Sequence, residues 1–295
     1  MTTTALKRPV VASTRVELEA ALIGTRAGGG RVAFVPTMGA LHAGHASLVA
    51  EARARVAATD AVVVSIFVNP MQFGANEDLD DYPRSFGADL AVCADQGADV
   101  VFAPSVDEVY PGGDPQVTVE PGPLGTILEG STRPGHYRGV LTVVAKLFGL
   151  VRPDLAVFGQ KDYQQLVLVR RMVEDLCMGV EIVGGETVRA AEGLALSSRN
   201  AYLDDEQLRA ALSLSRALRA GSDAGPAGAQ RVMAAANAVL RSAEGIDIDY
   251  LALTSPTLGD APAHGEARLL VAARVGTTRL IDNTAVHLGD EQGNA

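Results

Sequence analysis

The sequence predicts an α/β protein: a doubly wound parallel sheet followed by a second, smaller α+β domain. Short β-branched runs alternate with longer helical patterns through the first two-thirds of the 295 residues, as in a chain of βαβ units. One of these runs, Ala61 to Val68, is apolar without alternation, the mark of a strand buried on both faces of a parallel sheet. Near residue 190 the pattern changes to two Ala-rich helical stretches and then three strand-like runs. A chain this long, 47% hydrophobic, reaches the size at which one core usually divides. The expected domains are therefore residues 1–188 and 189–295.

Within the first domain, Arg31 to Pro36 reads as a strand and Ala43 to Ala57 as the helix after it. Ala61 to Val68 is the next strand, followed by a polar stretch from Asn69 to Ser85. A helix near Gly87 to Gln96 leads to a strand at Asp99 to Phe102. His136 to Val151 is a helix, Leu155 to Phe158 a strand, Tyr163 to Met178 a helix, and Val180 to Val183 closes the series. Sheets of this kind bind ligands at the carboxyl ends of their strands, near a switch in strand order. In the second domain, helices are expected at Glu206 to Arg219 and Ala227 to Ala243, joined by a turn from Gly221 to Pro226. Strands follow at Asp247 to Leu253, Ala267 to Arg274 and Thr278 to Asn283, with a hairpin turn at Val275-Gly276-Thr277. Gly289 to Ala295 reads as a frayed tail.

Composition narrows the function classes. The formal net charge of -10, from 35 acidic and 25 basic residues, argues against a nucleic-acid partner, which needs a basic face. Cys93 and Cys177 form no CxxC or Cys/His cluster, so neither a disulfide framework nor a zinc site is indicated, and both read as buried thiols in apolar helical patterns. No apolar h-region follows the Thr-rich start, and no apolar run approaches the ~20 residues that span a bilayer. The expectation is a cytoplasmic enzyme without a membrane partner.

Four segments have the residue types of a reaction site. Val35 to His45 joins the first strand to a helix. Gly39 and Gly44 permit close backbone approach, and the helix start presents unpaired N–H groups and a positive dipole end to a phosphate. His42 and His45, three apart, share a face and could donate to a triphosphate and to charge developing in a transition state. A metal pair is the competing reading, but no third ligand stands in a matching motif; a polar helix cap is another.

The second segment, Phe158 to Gln165, follows a buried strand. Lys161 is a point charge suited to phosphate. Asp162 and Gln165 equally fit a capping-box pattern. The third, Gly193 to Asn200, offers the hydroxyls of Ser197 and Ser198 and the Arg199 fork. It could instead be a linker capping the next helix, although Asp204 with Gln207 already supplies that cap. The fourth, Asn69 to Gly74, ends the second strand, and Gln72 could hydrogen-bond a hydroxy acid. The acidic run beyond it, Ala75 to Tyr82, reads as a surface loop or a lid that keeps water from a reactive intermediate.

In this order and spacing the segments PTMGALHAGH, SIFVNPMQFG, GHYRGVLTVV, FGQKDYQQL and LSSRN resemble the pantothenate synthetase (pantoate–beta-alanine ligase) family, from about Val11 to Val286. HxGH alone is shared with nucleotidylyltransferases and class I aminoacyl-tRNA synthetases; the combination is specific. The resemblance implies a Rossmann-like ATP- and pantoate-binding domain with a smaller C-terminal cover domain. It implies a homodimer that requires Mg2+ and joins D-pantoate to beta-alanine. ATP is consumed as substrate through a pantoyl-adenylate, releasing pyrophosphate and then AMP.

By residue, the ATP loop of the family falls on Met38, Gly39, Ala40, Leu41, His42, Ala43, Gly44 and His45, with His45 at its proton-donor position. Electrostatic stabilisation is the better description of both histidines, because an ionised carboxylate needs no deprotonation whereas the leaving pyrophosphate needs charge compensation. Gly159, Gln160, Lys161, Asp162, Val188, Leu196, Ser197, Ser198 and Arg199 match further nucleotide contacts, with Lys161 the third catalytic candidate after His45 and His42. Gln72 and Gln165 match the pantoate ligands, with Gln72 also near beta-alanine; Asn69 and Tyr82 are further substrate-binding candidates, and Asp89 is the candidate magnesium contact. A nucleotidylyltransferase of the HxGH superfamily is the alternative. It accounts for the histidines but not for the paired glutamines. A non-catalytic nucleotide-binding module leaves the histidines and Lys161 without a purpose, and a tRNA synthetase lacks its anticodon-binding extension.

Overall fold

The computed structural model describes residues 8–74, 79 and 82–289. Most of the expected lid, Ala75 to Tyr82, and the expected tail beyond Gly289 lie outside the described residues. The chain divides into two compact units: Met1–Gln160 with Leu168–Glu186, and Lys161–Val167 with Thr187–Ala295.

In chain order the first unit opens with β1 (Val10–Ala12) and α1 (Arg15–Ala27), then β2 (Val32–Thr37), α2 (Ala43–Ala54) and β3 (Ala61–Ile66). A 3-10 turn, Pro70–Gln72, precedes α3 (Phe86–Asp95), β4 (Val100–Phe102), α4 (Val106–Val109), α5 (Glu129–Thr132) and α6 (His136–Val151). β5 (Leu155–Gly159), the 3-10 turn Gln160–Asp162, α7 (Tyr163–Asp175) and β6 (Glu181–Gly185) follow, with Lys161–Val167 of the turn and of α7 counted in the second unit. The first strand and helix are not among the expected elements. The strand pairs in parallel with β4, and the helix starts at a reciprocal capping box, Thr14 Oγ1 accepting from Glu17 N at 3.2 Å and Glu17 Oε2 from Thr14 N at 3.1 Å. α1 buries Leu18 and Leu22.

The six strands lie in the order β1-β4-β3-β2-β5-β6, all paired in parallel. The chain works outward from β2 through β3 and β4, then returns to place β5 on the other side of β2. The switch in strand order therefore falls between β2 and β5, and the carboxyl ends of those two strands flank it. One face of the sheet carries Ala33, Val35, Val62, Val64, Val101 and Val157 against Leu48, Val49 and Ala52 of α2 and Cys93 of α3. The opposite face turns Phe34 and Phe158 to Phe148 of α6, each ring pair edge-on at 6.3 Å. Helices on both faces require strands apolar throughout, which is why β3 shows no alternation.

The second unit continues with a 3-10 turn, Ser198–Tyr202, then α8 (Asp205–Asp223) and α9 (Ala229–Arg241), and the antiparallel sheet β7 (Ile246–Thr254), β8 (Gly265–Val275) and β9 (Thr278–Leu288). Val275 pairs with Thr278, so the hairpin turns on Gly276 and Thr277. Leu214, Ala217 and Leu218 of α8, with Val232, Ala236 and Leu240 of α9, pack on Leu269, Val271 and Ala273 of β8.

Two expectations are corrected. Gly221 to Asp223 are the last turn of α8, not a loop. A Cβ on Gly221 would stand 2.4 Å from Leu269 Cδ2 and 3.4 Å from Ala236 Cβ, so this glycine permits close packing. Cys177 is exposed, beyond the end of α7 with φ +51°, whereas Cys93 is buried as expected. Among the described residues no helix is long and apolar enough to cross a membrane.

Candidate active site

The loop from Thr37 to His42 leaves β2 beside the switch point. It turns tightly, Gly39 at φ +86° and Ala40 at φ +51°. An alanine in the left-handed region costs roughly 1–2 kcal/mol, so something must hold it. Asp89 of α3 does: Oδ2 accepts from Ala40 N at 3.0 Å, and Oδ1 from Leu41 N at 2.9 Å and Ser85 Oγ at 3.0 Å. The carboxylate is 1% exposed. On the other side Thr37 Oγ1 donates to Ser65 O at 2.7 Å and accepts from Gly39 N at 3.3 Å. Asp89, expected at magnesium, is thus placed with both oxygens on the loop and Ser85.

His42 is the N-cap of α2. Its Nδ1 accepts from Gly44 N at 3.1 Å, and His45 Nδ1 accepts from His42 N at 3.3 Å. An accepting Nδ1 bears no proton, so the neutral ring carries its hydrogen on Nε2. The rings stand 4.2 Å apart, tilted by 38°. Helix capping and donation are thus compatible roles: capping fixes the tautomer that makes each Nε2 a donor, at a helix N-terminus already suited to anions.

The 3-10 turn Pro70–Gln72 follows β3 and packs on the start of α6. A Cβ on Gly139 would lie 2.2 Å from Met71 O and 2.7 Å from Gln72 N, so this approach needs glycine. Asn69, buried, donates from Nδ2 to Gly139 O and to Gln72 Oε1, both at 3.2 Å. Gln72 Nε2 reaches Met38 Sδ at 2.9 Å, which brings Met38, Asn69 and Gln72 together. His136 Nδ1 lies 2.8 Å from Gln72 O, and Arg133 Nη1 lies 2.9 Å from His136 Nε2. Tyr82 is buried with its ring edge-on to Phe73 at 6.0 Å. Gln160 Nε2 donates to Gly184 O and Glu186 Oε1, tying the end of β5 to β6. Tyr110, Arg133, His136 and Gly139 are not among the candidates named from sequence; the GHYRG string at a helix start was the available signal for His136 and Gly139.

The second unit holds the other candidates. Lys161 Nζ lies 3.8 Å from the exposed Asp162 carboxylate. Asn283 of β9 donates from Nδ2 to Lys161 O at 2.8 Å and accepts from Arg268 Nε at 2.7 Å. The Arg268 guanidinium lies 4.1 Å from the Tyr163 ring centroid. Gln165 sits half-buried in the first turn of α7. Leu196 N donates to Val188 O at 2.9 Å. Ser197 caps the turn containing Ser198 and Arg199, accepting from Arg199 N at 3.3 Å. α8 has its own cap in Asp204 and Gln207. Among the described residues no three His, Cys, Asp or Glu side chains form a metal-holding group.

Comparison with known proteins matches this geometry to a family. The family profile described as Pantoate-beta-alanine ligase matches residues 10–285. A protein of Nocardioides sp. named "Pantothenate synthetase" is 65% identical, over 95% of this chain and 86% of its own length. Another of that name from Thermobifida fusca is 55% identical, over 97% and 99%. Among solved structures, a pantothenate synthetase of Thermus thermophilus superposes with a TM-score of 0.86 at 46% identity, covering 93% of this chain and 98% of that one. A pantoate-beta-alanine ligase of Francisella tularensis, described as complexed with beta-gamma ATP and beta-alanine, superposes with a TM-score of 0.77 at 33% identity, covering 94% and 97%.

Proposed function

The chain belongs to the pantoate-beta-alanine ligase family, and from that premise we propose that its residues condense D-pantoate with beta-alanine at the expense of ATP. A pantoate carboxylate oxygen attacks the α-phosphorus of ATP, forming the mixed anhydride and expelling pyrophosphate. The amine of beta-alanine then attacks the acyl carbon, an amide bond forms, and AMP leaves with the anhydride oxygen. The observation that supports this best is the clamped loop and its two imidazoles, both tautomerically fixed with Nε2 as donor.

Met38 to His45 is assigned to the ATP phosphates, the α2 N-terminus and the Nε2–H donors of His42 and His45 compensating charge as pyrophosphate departs. Gly159, Gln160, Lys161, Asp162, Val188, Leu196, Ser197, Ser198 and Arg199 are assigned to the same nucleotide on the family likeness. Lys161 contributes a point charge. Gln72, Gln165, Asn69 and Tyr82 are assigned to pantoate, Gln72 also to beta-alanine. Mg2+ would enter with ATP and would supply charge compensation for the phosphates. Asp89 fits an outer contact at most, since its buried oxygens already accept three hydrogen bonds. The reading includes a homodimer and a cytoplasmic location, as a biosynthetic enzyme of this family requires no membrane.

The decisive experiment is AMP release from ATP and magnesium, omitting pantoate or beta-alanine in turn. Release that needs both acids, with pantoate-dependent pyrophosphate exchange in the absence of beta-alanine, is the expected result. Incorporation of AMP into a product would instead establish a nucleotidylyltransferase.

A further inference from the structure

The hydrogen-bond chain that ends on Gln72 begins at Tyr110, a residue with no part in the reaction just described. Tyr110 follows α4 and is 3% exposed. Its ring packs 6.2 Å from Phe67, with Lys146 Nζ 5.2 Å from its centroid. The hydroxyl donates to Asn69 Oδ1 at 2.8 Å. Burial, reinforced by Asp114, raises this phenol above its ordinary range, so the hydroxyl keeps its proton and remains a donor.

A protonated phenol can face either end of an amide, but a backbone N–H can only donate, so the Asn69 atom that meets both Tyr110 and Met71 N is oxygen. Met71 N donates to the same oxygen at 3.3 Å. The amide nitrogen must then point the other way, where it meets two acceptors, Gly139 O and Gln72 Oε1. With its oxygen occupied, Gln72 turns Nε2 toward the loop, against Met38 Sδ. A thioether is a weak acceptor, and a substrate oxygen replaces it at little cost.

We propose that Tyr110 is a positioning residue: through Asn69 it fixes the Gln72 amide with Nε2 outward, so that the site selects an acid presenting an oxygen acceptor at that point. The proposal rests on the assignment of Gln72 to pantoate. Tyr110→Phe removes one hydroxyl and keeps the ring packing. Without it the Asn69 oxygen keeps only the 3.3 Å bond from Met71 N, so the Asn69 side chain is held less firmly and the Gln72 amide that it orients loosens with it.

The test is steady-state kinetics on wild type, Tyr110→Phe, Gln72→Ala and the double variant. Tyr110→Phe is expected to raise KM for pantoate roughly tenfold, the worth of one hydrogen bond. KM for ATP and kcat at saturating pantoate stay at wild-type values. In the Gln72→Ala background the same change should add nothing, because the two residues act as one unit. An equal rise in both backgrounds, or an unchanged pantoate KM in Tyr110→Phe with a lowered melting temperature, overturns the proposal and leaves Tyr110 a packing residue. An unchanged pantoate KM in Gln72→Ala refutes the Gln72 assignment itself, which separates that failure from a failure at Tyr110.

Discussion

Replacing Asp89 by asparagine tests the clamp on the loop proposed to meet the ATP phosphates. The native carboxylate accepts from Ala40 N, Leu41 N and Ser85 Oγ and is 1% exposed. Asparagine is nearly isosteric, but one of its two ends is NH2. In either orientation that end faces a backbone N–H, so at least one buried donor loses its acceptor. A hydrogen bond to a charged acceptor contributes about 1.5–3 kcal/mol, and stranding a buried donor costs about 1–3 kcal/mol. The two overlap, so the expected loss is about 2–4 kcal/mol. Ala40, at φ +51°, then sheds its own strain by leaving the left-handed region. Stability is read from urea unfolding and loop geometry from KM for ATP, which should rise by roughly tenfold, the equivalent of about 1.4 kcal/mol. Ser85→Ala is the control: it removes only the hydroxyl donor, should cost about 1 kcal/mol or less, and should leave KM for ATP unchanged. Wild-type stability and wild-type KM for ATP in Asp89→Asn would refute the clamp. Wild-type stability with a shifted magnesium requirement would return Asp89 to the metal.

Three further outcomes are expected. Gly139→Ala drives a Cβ against Met71 O at 2.2 Å, so it should destabilise by about 1–3 kcal/mol and raise KM for pantoate, whereas Gly149→Ala in the same helix meets nothing within 4 Å and should stabilise by up to about 1 kcal/mol; equal behaviour of the two variants in urea unfolding would contradict the close approach. Lys161→Ala should slow pantoate-dependent pyrophosphate exchange on the order of a hundredfold with little change in stability, and an unchanged exchange rate would remove Lys161 from the catalytic group. A disulfide reagent at about pH 8 should modify one thiol quickly in the native protein and two in urea, because Cys177 is exposed while burial and the Asp89 charge push Cys93 up to about 12, far above the reagent's pH; two fast-reacting thiols in the native protein would contradict the burial of Cys93.

The parts of this chain that were legible in advance are those where one physical signal acts alone. β3 could be recognised because continuous apolarity has a single cause, and α6 because its register places buried residues at Tyr137, Val140, Val144, Leu147 and Val151. What stayed hidden lies where a residue answers to a neighbour distant in sequence. Gly221 looks like a turn former until Leu269 and Ala236 are seen to need its missing Cβ. Asp89, named from the sequence as a candidate magnesium contact, also holds Ala40 N and Leu41 N on its oxygens, 49 and 48 residues away, a clamp that no local pattern announces. Tyr110 shows nothing in its own segment, because its partner Asn69 lies 41 residues away. α1 is a different case: Thr14-x-x-Glu17 is a local capping box and was readable, but the helix behind it carries exposed Val16 and Ile23, which blur its apolar face. The histidines stand between these cases. Spacing alone put His42 and His45 on one face, yet the tautomer that makes both Nε2 atoms donors depends on two backbone N–H groups that only the folded helix start supplies. Residue identity thus names the candidate groups, and long-range hydrogen bonds decide which atom of each can meet a ligand. On this reading Asp89, Tyr110 and Gly139 act by positioning other groups, through the bonds and the close approach they make, and none needs to touch substrate.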